Sequence, residues 1–192
     1  WGNASSIIAI SDEVKEWIYN LNPSLNTVVI PYWVNKNSPK EIDTNELVIG
    51  FLGRINKNKG IEDLLDAISN FDLKEESIKV NIGGYGNVDY VDKLRESIKE
   101  ENNDRINFLG YVEDREQFFN EVDIFVFPSF SEGLGLVLLE AMSYSKICIT
   151  RDTKPMNTYI SSDTGYLFNN VDSLIQKINL AINDLKKDYS VI

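Results

Sequence analysis

The sequence predicts an α/β protein, a doubly wound parallel sheet with helices on both faces. Three observations predict it. Short apolar runs rich in β-branched and aromatic residues, among them LVIGFLG, DIFVFP and KICIT, recur along the chain and read as strands buried on both faces. Amphipathic stretches of helical period separate them. The links between strand and helix are short, which is the pattern of repeated βαβ units and gives a Rossmann-like domain.

In chain order, SIIAIS reads as a buried strand, and Ser11 caps the helix DEVKEWIYNL, with Asp12 and Glu13 well placed in its first turn. Asn22-Pro23 stops that helix, and TVVIP is a second short strand. The polar, aperiodic stretch NKNSPKEIDTNE, residues 35–46, reads as a linker. A regular alternation follows. LVIGFLG is a strand and IEDLLDAISNF an amphipathic helix; IKVNIGG is a strand and DYVDKLRESIKEE a helix; INFLG is a strand and DREQFFNEV a helix. DIFVFP is a strand, GLGLVLLEAMSYS a helix, KICIT a strand, and TGYLF a sixth strand before the closing helix DSLIQKINLAINDLKKDY. Residues 1–34, 35–46 and 47–192 are thus expected to be a fragment, a linker and a full domain.

Bulk composition excludes several functions. The 192 residues suffice for one full core and part of a second. With 19 Lys and Arg against 30 Asp and Glu, the net charge is −11, which argues against general nucleic-acid binding and leaves room for a small anion held by a few local cations. The single cysteine, Cys148, permits no internal disulfide, and the absence of histidine removes any His-based triad or His metal ligand. No apolar run approaches the ~20 residues of a membrane span. The chain begins at Trp1 with no signal segment before it, and we expect a piece of a longer protein.

Ligands of an open parallel sheet bind beyond the carboxyl ends of its strands, and the informative residues follow strands. GRINKNKG, residues 53–60, follows the first domain strand: Gly53 permits a sharp turn, and Arg54 and Lys59 offer a planar fork and a compact charge to a phosphate, or else a solvated basic loop. GGYG, residues 83–86, follows the second; it lacks the full G-x-G-x-x-G fingerprint and reads as a turn or a close backbone approach. GYVED, PSFSEGLG and RDTKP follow the next three strands.

The segment PSFSEGLGLVLLEAM, residues 128–142, poses a question. Its apolar residues cover nearly every side of a helix, so the helix is expected to be buried, yet it carries Glu140. Either Glu140 has an internal cationic partner or it faces a pocket. Gly133 and Gly135 at the helix start leave backbone N–H groups open to an anion. Glu132, just before that start, is either a partner of the helix dipole or a ligand contact. Glu140 is expected roughly two turns further on, ~10 Å along at helical rise. A nucleoside diphosphate sugar has that reach: sugar near Glu132, diphosphate over the glycines, ribose diol on Glu140.

Together these residues resemble the retaining glycosyltransferases of family 4, which have the GT-B fold. The resemblance runs from about Leu47 to Asn183. It rests on Glu132 and Glu140 with seven residues between them, on Gly53, Arg54, Lys59 and Gly60, on Gly84–Gly86, on Leu109–Val112 and on Glu140–Met142. The resemblance implies the C-terminal, donor-binding half of such an enzyme, with Trp1–Val34 the end of an otherwise absent N-terminal half that carries the acceptor site. It implies Glu132, Arg54 and Lys59 as catalytic residues, and donor contacts from Gly53, Gly84, Val112, Gly133, Leu134, Gly135, Leu136 and Glu140. The donor is then a nucleoside diphosphate sugar and the acceptor a sugar, lipid or protein. No metal or other cofactor is expected, since the chain has no Asp-x-Asp motif, and cytoplasmic placement is expected, with membrane association only through the missing half.

Three stretches depart from the family pattern: Tyr32-Trp33 stand where Asn-Gly is common, Ser145 stands for a glycine, and DTKPMNTYI lacks paired glycines and an acidic residue. Two other classes fit less of the sequence. A GT-B epimerase or non-catalytic nucleotide-sugar binding module would bind the donor without transfer, and a dinucleotide-dependent dehydrogenase would want the full glycine fingerprint.

Overall fold

The computed structural model describes residues 4–34, 36–37, 46–71 and 78–189. Strand β1 (Ile7–Ala9), helix α1 (Asp12–Leu21) and strand β2 (Thr27–Val29) form one unit, in which β1 and β2 pair in parallel. Ser11 caps α1 as its sequence dictates, its hydroxyl accepting from the Val14 N–H at 3.3 Å. Of α1 only Ile18 is buried; Trp17, Tyr19 and Leu21 are exposed, as are Ile8, Ile10, Val28 and Ile30 of the flanking strands and their ends.

The main domain alternates as expected: β3 (Leu47–Leu52), α2 (Ile61–Asn70), β4 (Ile78–Gly83), α3 (Val88–Glu96), β5 (Ile106–Gly110), α4 (Arg115–Glu121), β6 (Ile124–Phe127), α5 (Leu136–Ser143), β7 (Ile147–Arg151), β8 (Gly165–Phe168) and α6 (Val171–Tyr189). The six strands form one parallel sheet in the order β5-β4-β3-β6-β7-β8. Side chains alternate between two cores. Ile49 and Phe51 of β3 and Ile124 and Val126 of β6 meet Leu64 and Ile68 of α2 and Leu174 and Ile178 of α6 on one face. Phe125 and Phe127 of β6 meet Phe118 and Phe119 of α4 and Leu138 and Ala141 of α5 on the other. Cys148 lies in this second core, and burial pushes its thiol well above the ordinary range, so it packs as an inert apolar group.

Two helices are shorter than their sequence pattern. The fourth domain segment, read as a helix through Glu101, ends at Glu96 because the Ser97 hydroxyl donates to the Leu94 carbonyl and its N–H caps the same turn; a single 3-10 turn, Glu100–Asn102, follows. Helix α5 starts at Leu136, so Gly133 and Leu134 belong to the loop and helical rise applies only from there to Glu140. Its burial is also one-sided. Leu138, Ala141 and Ser143 are buried, Leu136 is exposed, and the Glu140 side chain keeps 28% of its surface. The expectation of a helix buried all round is therefore corrected: α5 packs on β6 and β7 through one face, and its other flank stays open. Among the described residues no helix is long and apolar enough to cross a membrane.

Candidate active site

From β3 the chain runs outward through β4 and β5, then returns to β6 and runs the other way through β7 and β8. The loops after β3 and β6 thus leave the sheet edge in opposite directions, and the crevice between them is where an open α/β sheet binds ligands.

The two loops are tied together. The Phe130 N–H donates to the Asn58 carbonyl at 2.9 Å, the Asn58 amide donates to the Ser131 carbonyl at 2.8 Å, and Lys59 pairs with Glu132. That ion pair is largely buried, with 18% and 14% of the two side chains exposed, and the Lys59 ammonium lies 5.7 Å from the Phe127 ring centroid. Glu132 therefore has a specific cationic partner rather than only a helix dipole. Asn56 Oδ1 and Ser129 Oγ, one on each loop, are buried without a hydrogen-bond partner among the described residues. Native proteins leave such atoms mainly where a water or ligand serves them.

Arg151 braces this arrangement from beneath. Its guanidinium pairs with Asp63 of α2, donates to the Pro128 carbonyl at 3.1 Å and to the Asn169 carbonyl at 3.2 Å, and lies 4.0 Å from the Phe130 ring centroid. One buried side chain thus joins the start of α2, the loop after β6 and the end of β8.

Beside the crevice is a cavity of about 240 Å³ between the loops after β3, β4 and β5. Gly53, Arg54, Gly84, Val112 and Val137 line it, with Tyr85 and Tyr111 at its rim. Gly84 has φ +134°, and a β-carbon there would run into the Gly53 carbonyl, so only glycine brings the two loops this close. Arg54 is exposed and forms no ion pair among the described residues.

The turn into α5 completes the crevice. Gly135 is the N-cap, at φ 70°. The Leu138 and Leu139 N–H groups donate back to its carbonyl, at 2.9 and 3.3 Å, while those of Leu136 and Val137 precede any intrahelical acceptor. Leu134 is buried and anchors the turn, so only its backbone can reach a ligand. Gly133 is exposed, its backbone does not require glycine, and a β-carbon there would meet nothing within 4 Å. Packing does not explain this glycine. Gly133→Val is expected to leave folding stability within ~0.5 kcal/mol, while lowering affinity for a ligand lying over the turn roughly tenfold. Chemical denaturation and nucleotide titration of the variant check the two halves.

Glu140 lies apart from the 240 Å³ cavity. It pairs with Arg115, the first residue of α4, and lines a second groove of about 340 Å³ with Trp33, Ser143 and Tyr144. Burial first, then the Glu116, Glu140 and Asp114 carboxylates, push the Tyr144 phenol upward, with Arg115 acting in the opposite sense. The sequence offered Glu140 a partner or a pocket, and the structure provides both, with the pair half-exposed rather than buried. Such a pair contributes only ~0–1 kcal/mol to stability.

Of the residues singled out in the sequence, Gly53, Arg54, Gly84 and Val112 share one cavity, Lys59 and Glu132 pair with each other outside its lining, and Gly133–Leu136 form the turn into α5. Sequence reasoning missed Arg115, Arg151, Tyr85 and Tyr111. Arg115 did carry a signal: a cation in the first turn of a helix opposes the macrodipole and calls for another reason to be there. Among the described residues no group of metal-ligating side chains is assembled.

The sequence profile described as "Glycosyl transferases group 1" matches residues 35–191. The chain is 28% identical to the capsular polysaccharide biosynthesis glycosyltransferase CapM of Staphylococcus aureus over 94% of its own length and 53% of CapM. It is 29% identical to the poly(ribitol-phosphate) alpha-N-acetylglucosaminyltransferase of Staphylococcus aureus (strain COL), again over 94% of its length and 37% of that enzyme. It thus spans about half, or less, of these relatives. Its fold matches Anabaena HepE, solved with UDP and glucose, with TM-score 0.81 at 23% identity over 96% of this chain and 55% of HepE. It also matches S. aureus TarM, solved with UDP, with TM-score 0.78 at 23% identity over 97% of this chain and 40% of TarM. With that profile matching residues 35–191, most of the chain, this chain belongs to the glycosyl transferases of group 1.

Proposed function

We propose that this chain is the donor-binding half of a retaining, family 4 glycosyltransferase that moves a sugar from a nucleoside diphosphate sugar to an acceptor. The observation that carries the reading is that Arg54 and Lys59 follow β3 and the open amides of α5 follow β6, the two strands of the switch point, with the loops tied through Lys59 and Glu132. Two cations and a helix N-terminus stand on these two loops in a chain of net charge −11. During transfer the bond between the anomeric carbon and the diphosphate oxygen breaks, and its electron pair stays on the diphosphate. The acceptor oxygen bonds to that carbon, and its proton ends on the released diphosphate or in solvent. Arg54, Lys59 and the α5 amides are aimed at the growing negative charge. Glu132, held by Lys59, orients the sugar hydroxyls. The nucleoside enters the cavity lined by Gly53, Gly84 and Val112, with its ribose diol toward Glu140.

Residues 1–34 then belong to the acceptor-binding half. Their two-stranded sheet and α1 leave an apolar surface that a larger partner must cover, and the matched relatives are long enough to contain one. The linker, 35–46, lies mostly outside the described residues; its Asn37 docks on α5 through the Ser143 carbonyl at 2.9 Å.

The test is a thermal-shift screen with UDP-, GDP- and ADP-sugars. At least one should raise the melting point of this chain by mass action, and the chain alone should transfer no sugar to any acceptor, since half the cleft lies elsewhere. No shift with any nucleotide, or turnover by the isolated chain, would contradict the proposal. Glu140→Gln is expected to change folding stability by no more than ~1 kcal/mol and to weaken nucleotide binding by ~1.5–3 kcal/mol, as for a lost hydrogen bond to a charged group. The loss should largely vanish with a 2′,3′-dideoxyribose analogue; titration of both ligands decides it.

A further inference from the structure

Among the described residues, Arg115 is the one shared by the 240 Å³ cavity and the 340 Å³ groove. It stands between the nucleoside pocket proposed above and Glu140, which lines the groove but not the cavity. Its Nη2 donates to Glu140 Oε2, and the guanidinium makes no other hydrogen bond among the described residues. Glu140 Oε1 likewise has no hydrogen-bond partner among them, so half of the carboxylate is engaged and half is available.

The placement of Arg115 has no local rationale. Asp114 caps α4 through the Gln117 N–H at 2.8 Å, which makes Arg115 the first helical residue, at the positive end of the dipole. The ion pair itself is half-exposed and adds little to stability. What the pair does provide is orientation. A glutamate at the open flank of an apolar helix samples several rotamers, and each must be given up when a ligand binds. Held at Oε2 by the Arg115 Nη2 donor, the carboxylate keeps one direction for Oε1, and an ionised carboxylate offers only acceptors.

We infer that Arg115 is a positioning residue that fixes Glu140 for the ribose diol and so makes the site select ribose over 2′-deoxyribose nucleotides. The inference rests on the donor-site reading. In that reading the ribose meets Oε1 while Arg115 keeps Oε2, and no swing of the arginine is needed.

Calorimetric titration of this chain with UDP and with 2′-deoxyuridine diphosphate, alongside Arg115→Leu, Arg115→Lys and Glu140→Gln, tests it. The unaltered chain should prefer UDP by about tenfold. Arg115→Leu should weaken UDP about tenfold and the deoxy nucleotide less than twofold, with an unchanged melting temperature. Arg115→Lys should recover part of the preference, and Arg115→Leu added to Glu140→Gln should cost nothing further. Equal weakening of both nucleotides by Arg115→Leu, or a preference that survives it, would overturn the role of Arg115 while leaving the donor site standing. Binding of neither nucleotide by the unaltered chain would overturn the donor-site reading and this inference with it.

Discussion

Arg151→Met is expected to cost ~3–5 kcal/mol of folding stability, the effect of breaking a buried ion pair from one side. The Arg151 side chain is 7% exposed and that of Asp63 25% exposed, so the carboxylate left behind has little solvent to turn to. The Pro128 and Asn169 carbonyls lose their donor in the same step. For a chain of this size the loss corresponds to a fall in melting temperature of roughly 6–20 °C. Arg151→Lys restores the charge but not the fork that reaches three partners, and should fall between the two. The damage should be local as well as global. Arg151 holds Pro128 and stacks on Phe130, so the loop carrying Glu132 should be the first to lose hydrogen-exchange protection. Denaturant melts of the variants settle the energy, and exchange rates settle the location.

Substitution of the two cations of the 53–60 loop is expected to separate affinity from stability. Arg54 is exposed and unpaired among the described residues, so Arg54→Ala should leave stability within ~0.5 kcal/mol. It should nonetheless weaken a nucleoside diphosphate by ~1.5–3 kcal/mol and the nucleoside hardly at all, since a charged hydrogen bond to phosphate is what disappears. Lys59→Ala should show the same selective loss. Because it also strands the largely buried Glu132 carboxylate, it should lower stability where Arg54→Ala does not. Equal losses for diphosphate and nucleoside would remove both residues from the phosphate site. Lys59 thus has two tasks, to hold Glu132 and to face the diphosphate, and the pair of variants distinguishes them.

The strands of the main domain were legible because each is a short, largely apolar run with polar or glycine-bearing ends; the inner strands are buried on both faces, while β5 and β8 at the edges are buried less. The phosphate loop and the Glu132–Glu140 segment were legible because glycine, cations and carboxylates at strand ends have few other reasons to be there. Three features were hidden for identifiable reasons. The end of α3 at Glu96 depends on Ser97 turning its hydroxyl back to Leu94, which competes with an otherwise continuous helical pattern. The one-sided burial of α5 depends on β6 and β7 covering only its Leu138 and Ala141 face, which a nearly all-apolar composition does not reveal. Arg151 and Asp63 are 88 residues apart, and Arg115 and Glu140 are 25 apart, so neither pairing exists until the sheet has brought α2 to β7 and α4 to α5. RDTKP was noted as a strand-end segment, but nothing local marks its arginine as a buried brace.

The central claim is that a nucleoside diphosphate lies across the carboxyl ends of β3 and β6, against Arg54, Lys59 and the first amides of α5. Titrating UDP into an isotopically labelled chain and following its amide chemical shifts tests this most directly. The account predicts that the largest changes fall on Gly53–Gly60, on Gly84 and Val112, and on Gly133–Val137. Changes confined to the opposite edge of the sheet, in the cavity of about 410 Å³ around Lys146, Tyr166 and Asp184, would contradict it, as would no change at saturating nucleotide.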